Sequence, residues 1–141
     1  MKFYIDTSVL VAYYCPEPLS EKAEEFLISH LHPGMSALTE VELFSAMSRK
    51  VREGGMSRRD ARRIIARFIA HVDKNFYEYF SVEPQHYRLA RDWIGMFDLG
   101  LRSLDALHLA IASFEGLTLV TADSGLSKSA RMLGLDSILL E

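Results

Sequence analysis

Four acidic residues, Asp6, Glu42, Asp105 and Asp123, are far apart along the 141-residue chain yet occupy related places in its pattern. Asp6 directly follows the short apolar run FYI, and Asp123 stands just past LTLVT. Glu42 falls in the first turn of a helix expected after MSAL, and Asp105 in the first turn of the helix that leads into LTLVT. Taken singly, each has an ordinary structural explanation. Thr39-Glu40-Val41-Glu42 fits the T-x-x-E capping box, in which Glu42 would return a hydrogen bond to the Thr39 backbone. Asp105 would sit where a helix dipole favours an acid, and Asp123 and Asp6 could each cap the helix or turn that follows. Together they are harder to dismiss. Two ionised carboxylates about 6 Å apart repel by roughly 2–3 kcal/mol at an effective dielectric near 20, more than the ~0.3–1 kcal/mol a helix dipole returns. Protonation is one relief; a hard divalent cation is another. Mg²⁺ takes one or two carboxylates, keeps several waters and meets substrate phosphate, so the pattern points to phosphate chemistry.

The elements around these acids must bring them to one edge. FYI reads as a central, doubly covered strand, with GMSAL, YFSVE, LTLVT and SILL as further strands. Between them run helical patterns: SEKAEEFLISHL, stopped by Pro33-Gly34, then TEVELFSAMSRKVRE with a stripe of Phe44, Met47 and Val51, ended by Gly54-Gly55. Ser57 with Asp60 opens a long helix whose stripe is Ile64, Ile65, Phe68, Ile69, Val72 and Phe76, and the two helices form a hairpin. Pro84 starts a helix expected to turn Tyr87, Ala90, Ile94 and Phe97 inward. Ser103 is expected to cap SLDALHLAIASFE, with Leu104, Leu107, Ile111 and Phe114 on its buried face. ADSGLSKSARML is the last helix, stopped by Gly134. Strands alternating with helices imply an α/β fold with a parallel sheet, whose ligands bind outside the carboxyl ends of the strands. The hydroxyls of Thr7, Ser8, Thr121 and Ser124 flank the acids there.

Composition narrows the classes. The length suits one domain, 1–141, without a repeat, a low-complexity tract or a linker. A net charge of −3 gives no bulk attraction to nucleic acid, so an RNA would have to be held by a local basic patch. Such a patch exists: Ser48 to Arg67 carries Arg49, Lys50, Arg52, Arg58, Arg59, Arg62, Arg63 and Arg67 against only Glu53 and Asp60. A solvated helical face would use the same residues. Cys15 is the sole cysteine, which removes an internal disulfide and a cysteine zinc site. Asp6 interrupts the first apolar run too early for a secretory segment, and no run approaches the ~20 apolar residues of a membrane span, so a cytoplasmic protein is expected.

Four ordered blocks, IDTSVL, SALTEVELFSAM, LRSLDALHLAIA and LVTADSGLSKSA, resemble the PIN-domain ribonucleases of the VapC toxin type. The resemblance spans nearly the whole chain. It implies a PIN-like, Rossmann-like parallel sheet flanked by helices, and an acidic cluster of Asp6, Glu42, Asp105 and Asp123 that binds Mg²⁺ or Mn²⁺. It further implies endonucleolytic cleavage of RNA, a cognate antitoxin and a homodimer. On this reading Asp6 and Asp123 are direct ligands, Asp105 shares metal or water contacts, and Glu42 either supports the ligands from behind or orients the attacking water. His108, one helical turn from Asp105, is expected as a packed histidine. Tyr13, Tyr14 and Trp93 read as core or interface rather than as base-stacking residues, and His30 and His32 are too few for a metal site.

Readings from other classes stay open. One is a PIN-like binding module without turnover, and another is an RNA-processing nuclease that is no toxin. A haloacid dehalogenase-type phosphatase needs Asp-x-Asp after the first strand, whereas this chain has Asp6-Thr7-Ser8. Neither a Gly-x-Ser-x-Gly element nor a Gly-x-x-x-x-Gly-Lys loop is present, which leaves a serine hydrolase or a P-loop ATPase unsupported.

Overall fold

A computed structural model describes residues 1–141. Its order is β1 (Phe3–Ile5), α1 (Thr7–Tyr14), α2 (Ser20–Ser29), β2 (Gly34–Ser36), α3 (Ala37–Arg52), α4 (Arg58–Asp73), β3 (Glu78–Phe80), α5 (Pro84–Ile94), α6 (Ser103–Phe114), β4 (Thr118–Thr121), α7 (Ser124–Met132) and β5 (Ser137–Leu139). The five strands form one parallel sheet in the order β3-β2-β1-β4-β5. The chain therefore builds outward from β1 to β3, crosses back, and builds outward on the other side through β4 and β5. The point of reversal lies between β1 and β4. In open α/β sheets that is where a crevice opens at the carboxyl ends of the strands.

Period-two alternation covers both faces of the sheet. Ile5 and Val120 join Val9, Leu10, Met35, Leu43, Met47 and Phe68 in one core beneath α1 to α4. Tyr4 and Leu119 point the other way, into a core with Leu109, Ile111, Leu126 and Ala130 from α6 and α7. Gly34 permits the close approach of β2, since a Cβ there would lie 2.9 Å from the Phe3 carbonyl oxygen and 3.0 Å from the Phe80 ring.

Some local readings need correction. The second strand ends at Ser36, and Ser36 caps α3 in a reciprocal capping box with Thr39, so the T-x-x-E box is not formed. Arg102, not Ser103, occupies the cap position of α6. Leu104 and Phe114 are exposed on α6, because its burial comes from seven consecutive residues, Ala106 to Ala112, that are covered on all sides by sheet and α5. Tyr87 and Phe97 likewise face solvent, as does Ile69 of the long hairpin helix, and Phe76 is exposed beyond its end, since α4 stops at Asp73. Periodicity located the helices, but it could not say how wide a stripe their neighbours would cover. No helix is long and apolar enough to cross a membrane.

Candidate active site

Both central strands end at the point of reversal. Asp6 follows β1, with its backbone N–H donating to the Val120 carbonyl of β4 at 3.2 Å. It occupies the cap position of α1 without making a side-chain cap bond. Its carboxylate instead accepts from the Ser8 hydroxyl at 2.5 Å and from the Thr121 hydroxyl at 2.7 Å. Thr121 also accepts from the Asp123 backbone N–H at 3.0 Å, which ties the ends of β1 and β4 together through one hydroxyl. Asp6 is buried, and that burial pushes its carboxyl above the ordinary range against the opposing hydrogen bonds of Ser8 and Thr121.

Asp123 does cap α7, as its position suggested: Oδ1 accepts from the N–H groups of Gly125 and Leu126 at 2.9 and 3.2 Å. Asp105, in the first turn of α6, shares a cavity of about 320 Å³ with Asp123, Asp98 and Lys128. Partial burial and then the Asp123 charge push the Asp105 carboxyl up, with Glu42 adding to the effect and His108 and Arg102 opposing it. Asp105 thus feels the charges of Asp123 and Glu42, two of the three other acids.

Glu42 is held differently. It lies in the second turn of α3, where Thr7 donates to its Oε1 at 2.7 Å and His108 Nε2 donates to the same oxygen. A carboxylate can only accept, so this contact fixes which imidazole nitrogen carries a proton toward it. The other nitrogen, Nδ1, lies 2.7 Å from the Tyr4 hydroxyl, which also meets Ser36 at 2.8 Å. Burial works to raise the Glu42 carboxyl, but the His108 contact and the Thr7 hydrogen bond outweigh it and hold the group below its ordinary value. The expectation of a packed histidine is met, since His108 is buried, yet the same ring also anchors Glu42. Tyr4 and Ser36 complete this network and were not picked out from the sequence. The available signal was the three-residue spacing of Asp105 and His108, which places both on one helix face.

Replacing His108 with Ala is expected to cost about 2–4 kcal/mol of stability through lost packing and the lost hydrogen bonds to Tyr4 and Glu42. Without its anchor, Glu42 should also support turnover about 10–100-fold less well. Melting curves and cleavage rates measured well below the melting temperature separate the two effects. An unchanged rate would limit His108 to packing.

The donor set suits a hard cation. No Lys, Arg or His forms an ion pair with Asp6, Asp105 or Asp123, and the acids grade from buried Asp6 through half-buried Asp105 to exposed Asp123. No three His, Cys, Asp or Glu side chains are grouped closely enough to hold a metal ion between them. Mg²⁺ does not require that, because it keeps several of its waters.

The PIN domain model matches residues 3–132. The chain belongs to the PIN-domain family. Within it the chain is VapC-type: it is 33% identical over 136 residues to the ribonuclease VapC46 of Mycobacterium tuberculosis, covering 94% of this chain and 92% of that one. Solved structures share the fold. VapBC2 from Rickettsia felis, bound to a DNA fragment from their promoter, superposes with a TM-score of 0.73 at 16% identity over 100% of both chains. Mycobacterium tuberculosis VapC20, a sarcin-ricin loop cleaving toxin, gives a TM-score of 0.70 at 17% identity over 91% of this chain and 95% of that one.

Proposed function

We propose that this VapC-type toxin nuclease hydrolyses RNA phosphodiester bonds internally, with Asp6, Asp105 and Asp123 holding a divalent Mg²⁺ or Mn²⁺. The observation that supports this reading is that Asp6 and Asp123 follow the adjacent strands β1 and β4 and Asp105 shares a cavity with Asp123, none of the three having a cationic partner. Such an ion supplies a nucleophile at neutral pH and stabilises charge on the phosphoryl oxygens. The protein's own groups do the positioning. Ser8 and Thr121 fix the Asp6 carboxylate, His108 and Thr7 fix Glu42, and Glu42 orients the attacking water from behind the ligands. Lys128 lines the same cavity as Asp105 and Asp123 and supplies a cation for a substrate phosphate.

The basic hairpin supports a grip on RNA. Glu42 lies early in α3, and the Arg49–Arg52 stretch begins roughly 10 Å further along the same helix. Of the eight basic side chains from Arg49 to Arg67, only Lys50 has a carboxylate partner, Glu17 at 3.5 Å. Replacing Arg58, Arg59, Arg62 and Arg63 with Gln is expected to weaken RNA binding and to flatten its salt dependence, by about 0.7 in log–log slope for each phosphate that is no longer neutralised. An unchanged slope would mark the hairpin as a solvated face.

The protein acts in the cytoplasm, as a homodimer restrained by a cognate antitoxin. The test of the function is incubation of the purified chain with single-stranded and structured RNAs in Mg²⁺ or Mn²⁺. Discrete internal cleavage products are expected. RNA left intact by the folded protein under all these conditions would reject the reading, and a small reading frame directly upstream would separate a toxin from a processing nuclease.

A further inference from the structure

Tyr4 carries a hydroxyl where packing alone would be served by a phenylalanine. The residue lies in β1 and is fully buried in the core it shares with Leu109, Ile111 and Leu119. A buried hydroxyl costs free energy unless it is hydrogen-bonded. This one meets Nδ1 of His108 at 2.7 Å, Ser36 Oγ at 2.8 Å and Thr39 Oγ1 at 3.3 Å. Ser36 and Thr39 are fully buried and His108 nearly so, yet no buried side-chain nitrogen or oxygen lacks a partner.

The direction of these bonds follows from counting protons. Ser36 Oγ accepts the Thr39 backbone N–H at 3.4 Å, and Thr39 Oγ1 accepts the Ser36 backbone N–H at 3.2 Å. Each hydroxyl keeps its own proton to donate, and for Ser36 the Tyr4 oxygen is the nearer acceptor, 2.8 Å away against 3.4 Å for Thr39 Oγ1. With its oxygen accepting, Tyr4 donates to Nδ1. A neutral imidazole carries one ring proton, so an Nδ1 that accepts places that proton on Nε2, the nitrogen that donates to Glu42. The line of donors therefore runs one way, from Ser36 through Tyr4 and His108 to Glu42. It ends on Oε1, which also takes the Thr7 bond, while Oε2 takes neither and the side chain is 24% exposed.

We propose that Tyr4 is a positioning residue for RNA cleavage, whose hydroxyl acts through His108 to hold Glu42 by Oε1 and leave Oε2 for the attacking water. The proposal rests on the RNA-cleaving function above. A tyrosine kept for packing needs one partner, and Ser36 alone would suffice; the bond to His108 is the one that reaches the cleft.

Tyr4→Phe keeps the ring and removes only the hydroxyl. In the full-length protein cleaving RNA with Mn²⁺ well below the melting temperature, it is expected to lower kcat about 10-fold, the lower end of the range for residues that orient a metal site, and to leave KM unchanged. His108→Gln supplies the second arm. Its amide N–H can donate to Glu42 as Nε2 does, but it has no atom in place of Nδ1 to receive the Tyr4 proton. Adding Tyr4→Phe to His108→Gln should therefore cost no further kcat. A lower melting temperature with kcat unmoved, or the same loss of kcat in both backgrounds, would make Tyr4 merely structural and overturn the proposal. Nitrogen NMR of the RNA-free protein at about pH 8, above the ordinary imidazole range, reads the ring directly. His108 is expected to carry its proton on Nε2, with an Nδ1 resonance that moves downfield when Tyr4→Phe removes the donor. A proton on Nδ1, or an Nδ1 resonance indifferent to the substitution, also overturns the proposal. RNA left intact by the wild type refutes the function and the positioning role with it, whereas wild-type cleavage with kcat unmoved by Tyr4→Phe refutes the role alone.

Discussion

Replacing Asp6 with Asn is expected to lower RNA cleavage by about three orders of magnitude or more and to leave the protein at least as stable as before. The activity loss follows because an ion contributes several kcal/mol to phosphoryl transfer, and each ~1.4 kcal/mol is a factor of ten. Stability moves the other way. Asp6 is 5% exposed and has two hydroxyl donors but no cation, so in metal-free buffer its ionised form is buried at a cost. With its carboxyl pushed up by burial, the folded state holds the proton more tightly than the unfolded chain does. The stability this contributes is full at low pH and is lost as pH rises from the ordinary carboxylate range through the raised value. Asn keeps the shape, can hydrogen-bond to Ser8 and Thr121, and never ionises. Melting curves in chelator across pH should show that the decline attributable to Asp6 is absent from the variant. A variant that unfolds, or one that still cleaves RNA, would contradict this account of the residue.

Removing divalent cations is the second large effect. Chelation is expected to abolish cleavage by the wild-type chain and to leave it folded, because the two cores and the sheet contain no metal ligand among their buried apolar contacts. Saturating Mn²⁺ should stabilise the wild type by mass action, about 2.7 kcal/mol at a hundred times Kd, or roughly 5–10 °C in melting temperature for a chain of this size. The increment should shrink sharply in Asp6→Asn. Scanning fluorimetry with and without metal measures it directly, and cleavage that persists in chelator would remove metal from the chemistry.

Much of this site was legible in the sequence because its logic is topological. A parallel sheet places its chemistry just past its strands, and Asp6 and Asp123 are marked by the apolar runs they follow. The cap role of Asp123 and the stops at Gly54, Gly116 and Gly134 are local, so short windows of sequence carried them. The helix of Glu42 was located, but its start was misjudged, since Ser36 and Thr39 are both good caps by type, and Ser36 takes the cap with Thr39 as its reciprocal partner. The Glu42–His108 contact joins residues 66 positions apart, and Tyr4–His108 joins residues 104 apart. No periodicity encodes such pairings. Phe97 was expected to face inward because it continues the apolar spacing of α5, yet the helix ends at Ile94 and the spacing loses its meaning beyond that turn.

Calorimetric titration of Mn²⁺ into the metal-free wild-type protein and into Asp6→Asn addresses the core of this account. Saturable binding by the wild type, abolished or greatly weakened in the variant, is the predicted outcome. Identical isotherms for the two folded proteins, or no binding by a wild type that cleaves RNA, would show that the carboxylates at the strand ends do not gather around an ion.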